Sequence, residues 1–256
     1  MKNLKARLKQ GETVNGCWLN LGTSITAEIA GLSGFDWVLI DLEHGAGVEK
    51  DVLDQLQALE HTPAAAIVRV EGAQRQRIHR VLDMGAEGIM CPRINNAGEA
   101  TEVANGLHYP PKGKRGVAKM VRATGFGQNF TDYYNNAKDN ILGIVQIETV
   151  EVLNHLDEIA AIDGIDVLFI GPADLTMELG IFGQFDHPLF RDALKATVNA
   201  AAKAGKATGI LFFNPDDYKT YHHLGIRMIA CGSDATFIAD GARNMAGKLS
   251  AARANL

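Results

Sequence analysis

The sequence predicts a (β/α)8 TIM barrel, formed as one domain over residues 1–256. Three observations carry that reading. Eight short apolar runs recur along the chain, each followed by a helical pattern. The runs lack apolar/polar alternation, as parallel strands covered on both faces do. Chargeable residues gather where the runs end, on the rim where such barrels carry their chemistry. The alternative, an open doubly wound sheet, calls for a Gly-rich nucleotide turn after the first strand. Asn20-Leu21-Gly22-Thr23-Ser24 has a single glycine.

Leu4–Gln10 reads as a short basic helix stopped by Gly11. Strand one is expected at 13–19, and Ser24 caps a helix reaching Leu32. Strand two is Trp37–Asp41. The polar turn after it leads to a helix near Glu49–Glu60 with Val52, Leu53, Leu56 and Leu59 on one face. Strand three is Ala65–Val70, and its helix includes Ile78, Val81 and Leu82. Strand four, Gly88–Cys91, stops at Pro92, which has no amide for a ladder. A helix near Ala97–Gly106 follows.

Residues 108–140 form a long polar interruption with a short helix near Thr131–Ala137. Its length suits an active-site lid or an oligomer contact. Strands five (Ile141–Ile147) and six (Asp166–Ile170) flank a helix expected at Val150–Ile162. Strand seven is Ala207–Phe213, and Pro215–His223 is a helix. Strand eight is Arg227–Cys231, with Ser233 opening the last helix.

A formal net charge of −5 with no basic run argues against a nucleic-acid partner. No stretch has the length of a membrane span, and the start lacks a signal-peptide core, so a cytoplasmic location is expected. Cys17, Cys91 and Cys231 are far apart and strand-borne, which reads as core packing in a reducing compartment.

The strand ends supply Asp41, Glu43, His44, Arg69, Arg93, Gln146, Glu148 and Asp174. Glu148 and Asp174 follow neighbouring strands. Either alone fits a helix N-terminal acid that favours the dipole; as a pair they suit a hard cation, Mg²⁺ or Mn²⁺. Such an ion polarises a carbonyl and stabilises a developing enolate. Arg69 has a planar fork suited to a carboxylate; the alternative is an internal ion pair. Together the ion and Arg69 suit a small 2-oxo acid. His44 is placed to titrate at the rim, although surface histidines in polar turns are common. Gly171-Pro172 marks a tight turn able to bare amides to a ligand.

Several segments carry a resemblance: Asp41-Leu42-Glu43-His44, Val68-Arg69, Leu82-Asp83-Met84-Gly85, Tyr109-Pro110-Pro111, Arg115-Gly116-Val117, Gln146-Ile147-Glu148 and Phe169-Ile170-Gly171-Pro172-Ala173-Asp174-Leu175. With them, nearly the whole chain resembles the metal-dependent (class II) pyruvate aldolases of the HpcH/HpaI type. The resemblance implies reversible cleavage of a 4-hydroxy-2-oxo acid to pyruvate and an aldehyde. It implies a divalent ion, Mg²⁺, Mn²⁺ or Co²⁺, on Glu148 and Asp174, the pyruvate carboxylate on Arg69, and substrate contacts from Gln146, Gly171, Pro172 and Ala173. It further implies His44 with Asp83 as an acid/base dyad and Asp41 near the waters of the ion. A homo-hexamer, a trimer of dimers with a swapped C-terminal helix, is also implied. Leu42, Arg93 and the loop 118–126 depart from the usual pattern, which leaves the aldehyde open; Arg93, Lys119 or Arg122 could receive a distal carboxylate or serve as interface charges. The rival readings are a citryl- or malyl-CoA-type lyase, a phosphate-binding isomerase and a non-catalytic acid-binding barrel.

Overall fold

The structure is a computed structural model that describes residues 2–255. Eight parallel strands close into a barrel in sequence order: β1 (Val14–Leu19), β2 (Trp37–Asp41), β3 (Ala65–Arg69), β4 (Gly88–Cys91), β5 (Leu142–Ile147), β6 (Val167–Ile170), β7 (Ala207–Phe212) and β8 (Met228–Ser233). The helices before the long loop are α1 (Leu4–Lys9), α2 (Ser24–Leu32), α3 (Glu49–Leu59), α4 (Arg75–Asp83) and α5 (Ala97–Leu107). Those after it begins are α6 (Phe130–Asn140), α7 (Leu156–Ala160), α8 (Pro172–Glu178), α9 (Pro188–Lys203), α10 (Tyr218–His223) and α11 (Asp234–Ala254).

Strand side chains alternate between two apolar layers. Outward-facing residues such as Val38, Ile40, Val68 and Ile89 pack under the helices. Inward-facing residues Trp18, Trp37, Leu39, Ile67, Met90, Ile144 and Phe169 fill the barrel, and Leu4 and Leu8 of α1 join this inner cluster. Trp18, Trp37 and Phe169 meet with ring centroids 5.6–6.2 Å apart. Such a bulky layer needs a small residue opposite. Gly16 pairs in register with Trp37, and a Cβ there would lie 2.3 Å from the indole ring.

The same period-two alternation places the polar rim. The inward series 37-39-41, 65-67-69 and 142-144-146 end in Asp41, Arg69 and Gln146, and the β2–β3 register sets Asp41 beside Arg69. Apolar packing below therefore fixes a polar layer at the mouth.

Several elements differ from expectation: Thr23 rather than Ser24 caps α2, and Pro215–Asp217 is a 3-10 turn before α10. The segment after β5 is a 3-10 turn, Glu151–Asn154, broken at His155 before the short α7. In the long interruption, the helix runs through Phe130–Asn140, and a 3-10 turn covers Arg122–Thr124. Cys17 and Cys91 are buried as expected, whereas Cys231 is only half-buried. No helix among the described residues is long and apolar enough to cross a membrane.

Candidate active site

At the mouth Asp41 is the anchor. Its Oδ1 accepts from Arg69 Nε at 2.9 Å and its Oδ2 from Arg69 Nη2 at 2.7 Å. Asn20 Nδ2 donates to Oδ2 at 2.8 Å, and the amides of Glu43 and His44 donate to Oδ1 at 3.0 and 3.4 Å. The carboxylate is fully covered, and it holds the turn and Arg69.

Arg69 is likewise largely committed. Its Nη1 lies 2.9 Å from Glu43 Oε2 and donates to Gln146 Oε1 at 3.4 Å. Burial alone would lower its pKa, but the hydrogen bonds and charge of Asp41, with Glu43 and Glu148, hold it above the ordinary value. With the Nε–Nη2 fork closed by Asp41, Arg69 offers the cleft charge and single hydrogen bonds, and the free fork expected for a carboxylate is absent.

Glu148 stands just past the end of β5, buried, with Oε1 accepting the Arg93 amide at 2.6 Å and Oε2 accepting Gln146 Nε2 at 2.9 Å. Arg93 reaches this position with a left-handed φ of 49°. Its contribution is thus a backbone amide, while its side chain points to Glu178 at 3.4 Å. Sequence reasoning missed this role; Pro92, which ends the strand, was the only local signal. Burial pushes the Glu148 carboxyl up to about 7, opposed by the Arg93 amide and reinforced by the negative charges of Asp174 and Glu43. Burial also raises Glu43, against the pull of Arg69. Gly171 permits this packing, because a Cβ there would meet Glu148 Oε2 at 2.4 Å.

Asp174 lies exposed in the first turn of α8. Among the described residues no group of three or more His, Cys, Asp or Glu side chains forms a preformed metal cage. Two neighbouring carboxylates, one of them raised chiefly by its burial and further by the other's charge, match the way Mg²⁺ is held, by one or two carboxylates with water and substrate completing the shell.

His44 is exposed at the rim, with Nε2 3.9 Å from Glu43 Oε1. Within one chain His44 and Asp83 do not meet. Asp83 closes α4, which runs back from the mouth to the opposite face of the barrel. There Arg115 Nη2 donates to Asp83 at 2.8 Å and to the Tyr133 hydroxyl at 2.9 Å. Beside the mouth, Trp18, Asn20, His44, Arg69, Gln146, Phe169, Gly171, Pro172, Ala173, Asp174 and residues of β7 and β8 line a cleft of about 300 Å³. Gln146, Gly171, Pro172 and Ala173 thus sit together as the sequence suggests.

A family model for HpcH/HpaI aldolase/citrate lyase matches residues 15–240. The chain belongs to the HpcH/HpaI aldolase/citrate lyase family. Within it, the hydroxypyruvate/pyruvate aldolase of Agrobacterium fabrum is 39% identical over 245 residues, covering 95% of this chain and 92% of the relative. The 4-hydroxy-2-oxo-heptane-1,7-dioate aldolase of Salmonella arizonae is 39% identical over 252 residues, covering 98% of this chain and 96% of that one. The crystal structure of an HpcH/HpaI aldolase/citrate lyase family protein from Burkholderia cenocepacia superposes with a TM-score of 0.92 at 34% identity, covering 98% of this chain and all of that one.

Proposed function

We propose that the chain is a pyruvate aldolase that reversibly cleaves a 4-hydroxy-2-oxo acid to pyruvate and an aldehyde. The observation that carries the reading is the convergence at one mouth of the buried Glu148 carboxylate past β5, Asp174 in the first turn of α8 after β6, and the Arg69 guanidinium lining the cleft. Membership of the family and the names of its relatives support it. Glu148 and Asp174 are the residues that would hold a divalent ion, with Mg²⁺ or Mn²⁺ favoured by the all-oxygen donor set. When bound, that ion would polarise the 2-oxo carbonyl of the substrate.

The protein's own groups do the rest. Arg69, fixed by Asp41, faces the cleft as a positive charge for the 2-oxo acid. Gln146 donates to Glu148 and orients it. His44 takes the proton of the 4-hydroxyl; the C3–C4 bond breaks with its electron pair passing to the 2-oxo oxygen, the aldehyde leaves, and C3 is then protonated to give pyruvate. No redox partner is required. Within one chain Asp83 and His44 lie at opposite ends of the barrel, so any pairing between them needs a second copy.

A homo-hexamer with a swapped C-terminal helix remains our reading of the assembly. It is supported by α11, exposed from residue 241 onward, and by exposed Phe237, Ile238, Met245 and Leu249 on it. The free cysteines support a cytoplasmic location. The test of the chemistry is retro-aldol activity with and without EDTA. Loss on chelation, restored by Mg²⁺ or Mn²⁺, is expected. Full activity in EDTA with an adduct trapped by borohydride would instead mean a lysine Schiff base.

A further inference from the structure

A chain of hydrogen bonds runs around the barrel rim through four neighbouring strand ends, from β8 by way of β1 and β2 to β3. It begins at Asp234, the first residue of α11. The carboxylate is buried and its partners are four neutral donors. Oδ1 accepts from the amides of Asn20 and Ala235, each at 2.8 Å, and Oδ2 from the Thr26 hydroxyl at 2.7 Å and the Leu21 amide at 3.3 Å. Three of these donors lie in the stretch 20–26 that follows β1.

Helix capping does not account for the arrangement. α11 is capped by Ser233, whose Oγ accepts from the Thr236 amide at 3.2 Å, and α2 by Thr23, whose hydroxyl accepts from the Ile25 amide at 3.3 Å. Burying a carboxylate on neutral donors is costly, and what it fixes is Asn20.

Asn20 is the next link. Its Nδ2 donates to Asp41 Oδ2 at 2.8 Å, and its backbone carbonyl accepts from the Ala46 amide at 2.8 Å. The two loops lie against each other just beyond: Gly22 has a left-handed φ of 66°, and a Cβ on it would stand 2.7 Å from Gly47 Cα. Asn20 therefore braces the turn 41–47 towards both ends, and that turn carries Glu43 and His44. Asp41 passes the restraint on, since its two oxygens take Nε and Nη2 of Arg69. Without the Asn20 donor, Oδ2 would keep Arg69 Nη2 alone, and the carboxylate plane that aims the guanidinium would lose a support on that side.

Resting on the pyruvate-aldolase reading, we propose that Asn20 and Asp234 are positioning residues for the pyruvate site. Asp234 fixes the backbone of Asn20, Asn20 fixes Oδ2 of Asp41, and Asp41 aims Arg69 at the cleft. Neither residue need touch the reacting atoms.

The test follows exchange of pyruvate methyl protons with D₂O in the full-length protein, with Mg²⁺ supplied and no aldehyde present. Asn20→Ala deletes a hydrogen bond to a charged group and should raise KM for pyruvate about tenfold or more. The effect on kcat should be smaller, because the carboxylate is held alike in the ground state and the transition state. Asp234→Ala should raise KM in the same direction, and the double variant little beyond either single one, because both act through the same carboxylate. Asp234→Asn keeps an oxygen for the Asn20 amide and should recover most of what Asp234→Ala loses. If Asp234→Ala does not fold, Asp234→Ser, a shorter acceptor, takes its place in the cycle. Residues with a structural role alone would lower the melting temperature and leave KM of the folded protein unmoved. A KM within about twofold of wild type in folded Asn20→Ala, or two effects that multiply independently in the double variant, overturns the inference. Wild-type protein that exchanges, with variants that do not differ from it, defeats this inference alone. Wild-type protein that does not exchange defeats the aldolase reading and this inference with it.

Discussion

Asp41→Ala removes five accepted hydrogen bonds at once: two from Arg69, one from the Asn20 side chain, and those from the amides of Glu43 and His44. The Asp41 side chain is fully covered and that of Arg69 is 10% exposed, so water has little access to replace the lost acceptor. Breaking a buried ion pair by deleting one partner costs about 3–5 kcal/mol. At about 2 °C per kcal/mol for a chain of this size, the melting temperature should fall by roughly 6–10 °C. Asp41→Asn, which keeps the shape and one acceptor, should fall less. Circular dichroism melts of the three proteins check this, with pyruvate titration alongside; pyruvate binding should weaken in both variants because Arg69 loses its orientation. A fall below about 2 °C for Asp41→Ala would refute the anchoring role, since Arg69 would then be equally well held by Glu43 alone.

The Glu148 carboxyl, raised from 4.5 to about 7, binds its proton more tightly folded than unfolded. Its contribution is therefore present below about pH 4.5 and lost as pH rises to about 7, on the order of 3 kcal/mol in the metal-free protein; denaturant titrations across that range should show the slope, and Glu148→Gln should remove it. Gly171→Ala drives a methyl group against Glu148, and should lower stability by about 1–3 kcal/mol and kcat with it, both read from one preparation by melting and steady-state assay. Arg93→Gly keeps the amide that Glu148 accepts and relieves the left-handed backbone, so it should stay within about 1 kcal/mol of wild type and remain active. Inactive Arg93→Gly protein would show that the guanidinium itself is needed.

The sequence made the barrel legible because its strands are short, continuous and apolar, and Asp41, Arg69 and Gln146 close inward-facing series that packing holds in place. The Glu148–Asp174 neighbourhood was legible for the same reason, since adjacent strands of a barrel bring their ends together. What Arg69 does with its fork was not. That depends on the Asp41–Arg69 register and on Glu43 folding back to Nη1, long-range geometry without a local signature. The Arg93 amide escaped notice because a backbone donor is independent of side-chain identity. The His44–Asp83 pairing failed within the chain because α4 carries Asp83 to the far face, a consequence of helix direction that motif matching ignores. His155 breaks what its apolar neighbours suggested as one helix, at a φ of −118° and ψ of 9°.

The most direct measurement on the site is deuterium uptake by the pyruvate methyl group in D₂O, followed by NMR. The metal-free protein should exchange slowly, Mg²⁺ or Mn²⁺ should accelerate exchange strongly, and Glu148→Ala or Arg69→Ala should abolish it while remaining folded by circular dichroism. Exchange that is absent with the ion present, or that survives both substitutions, would contradict the assignment of the β5–β6 mouth as a pyruvate site.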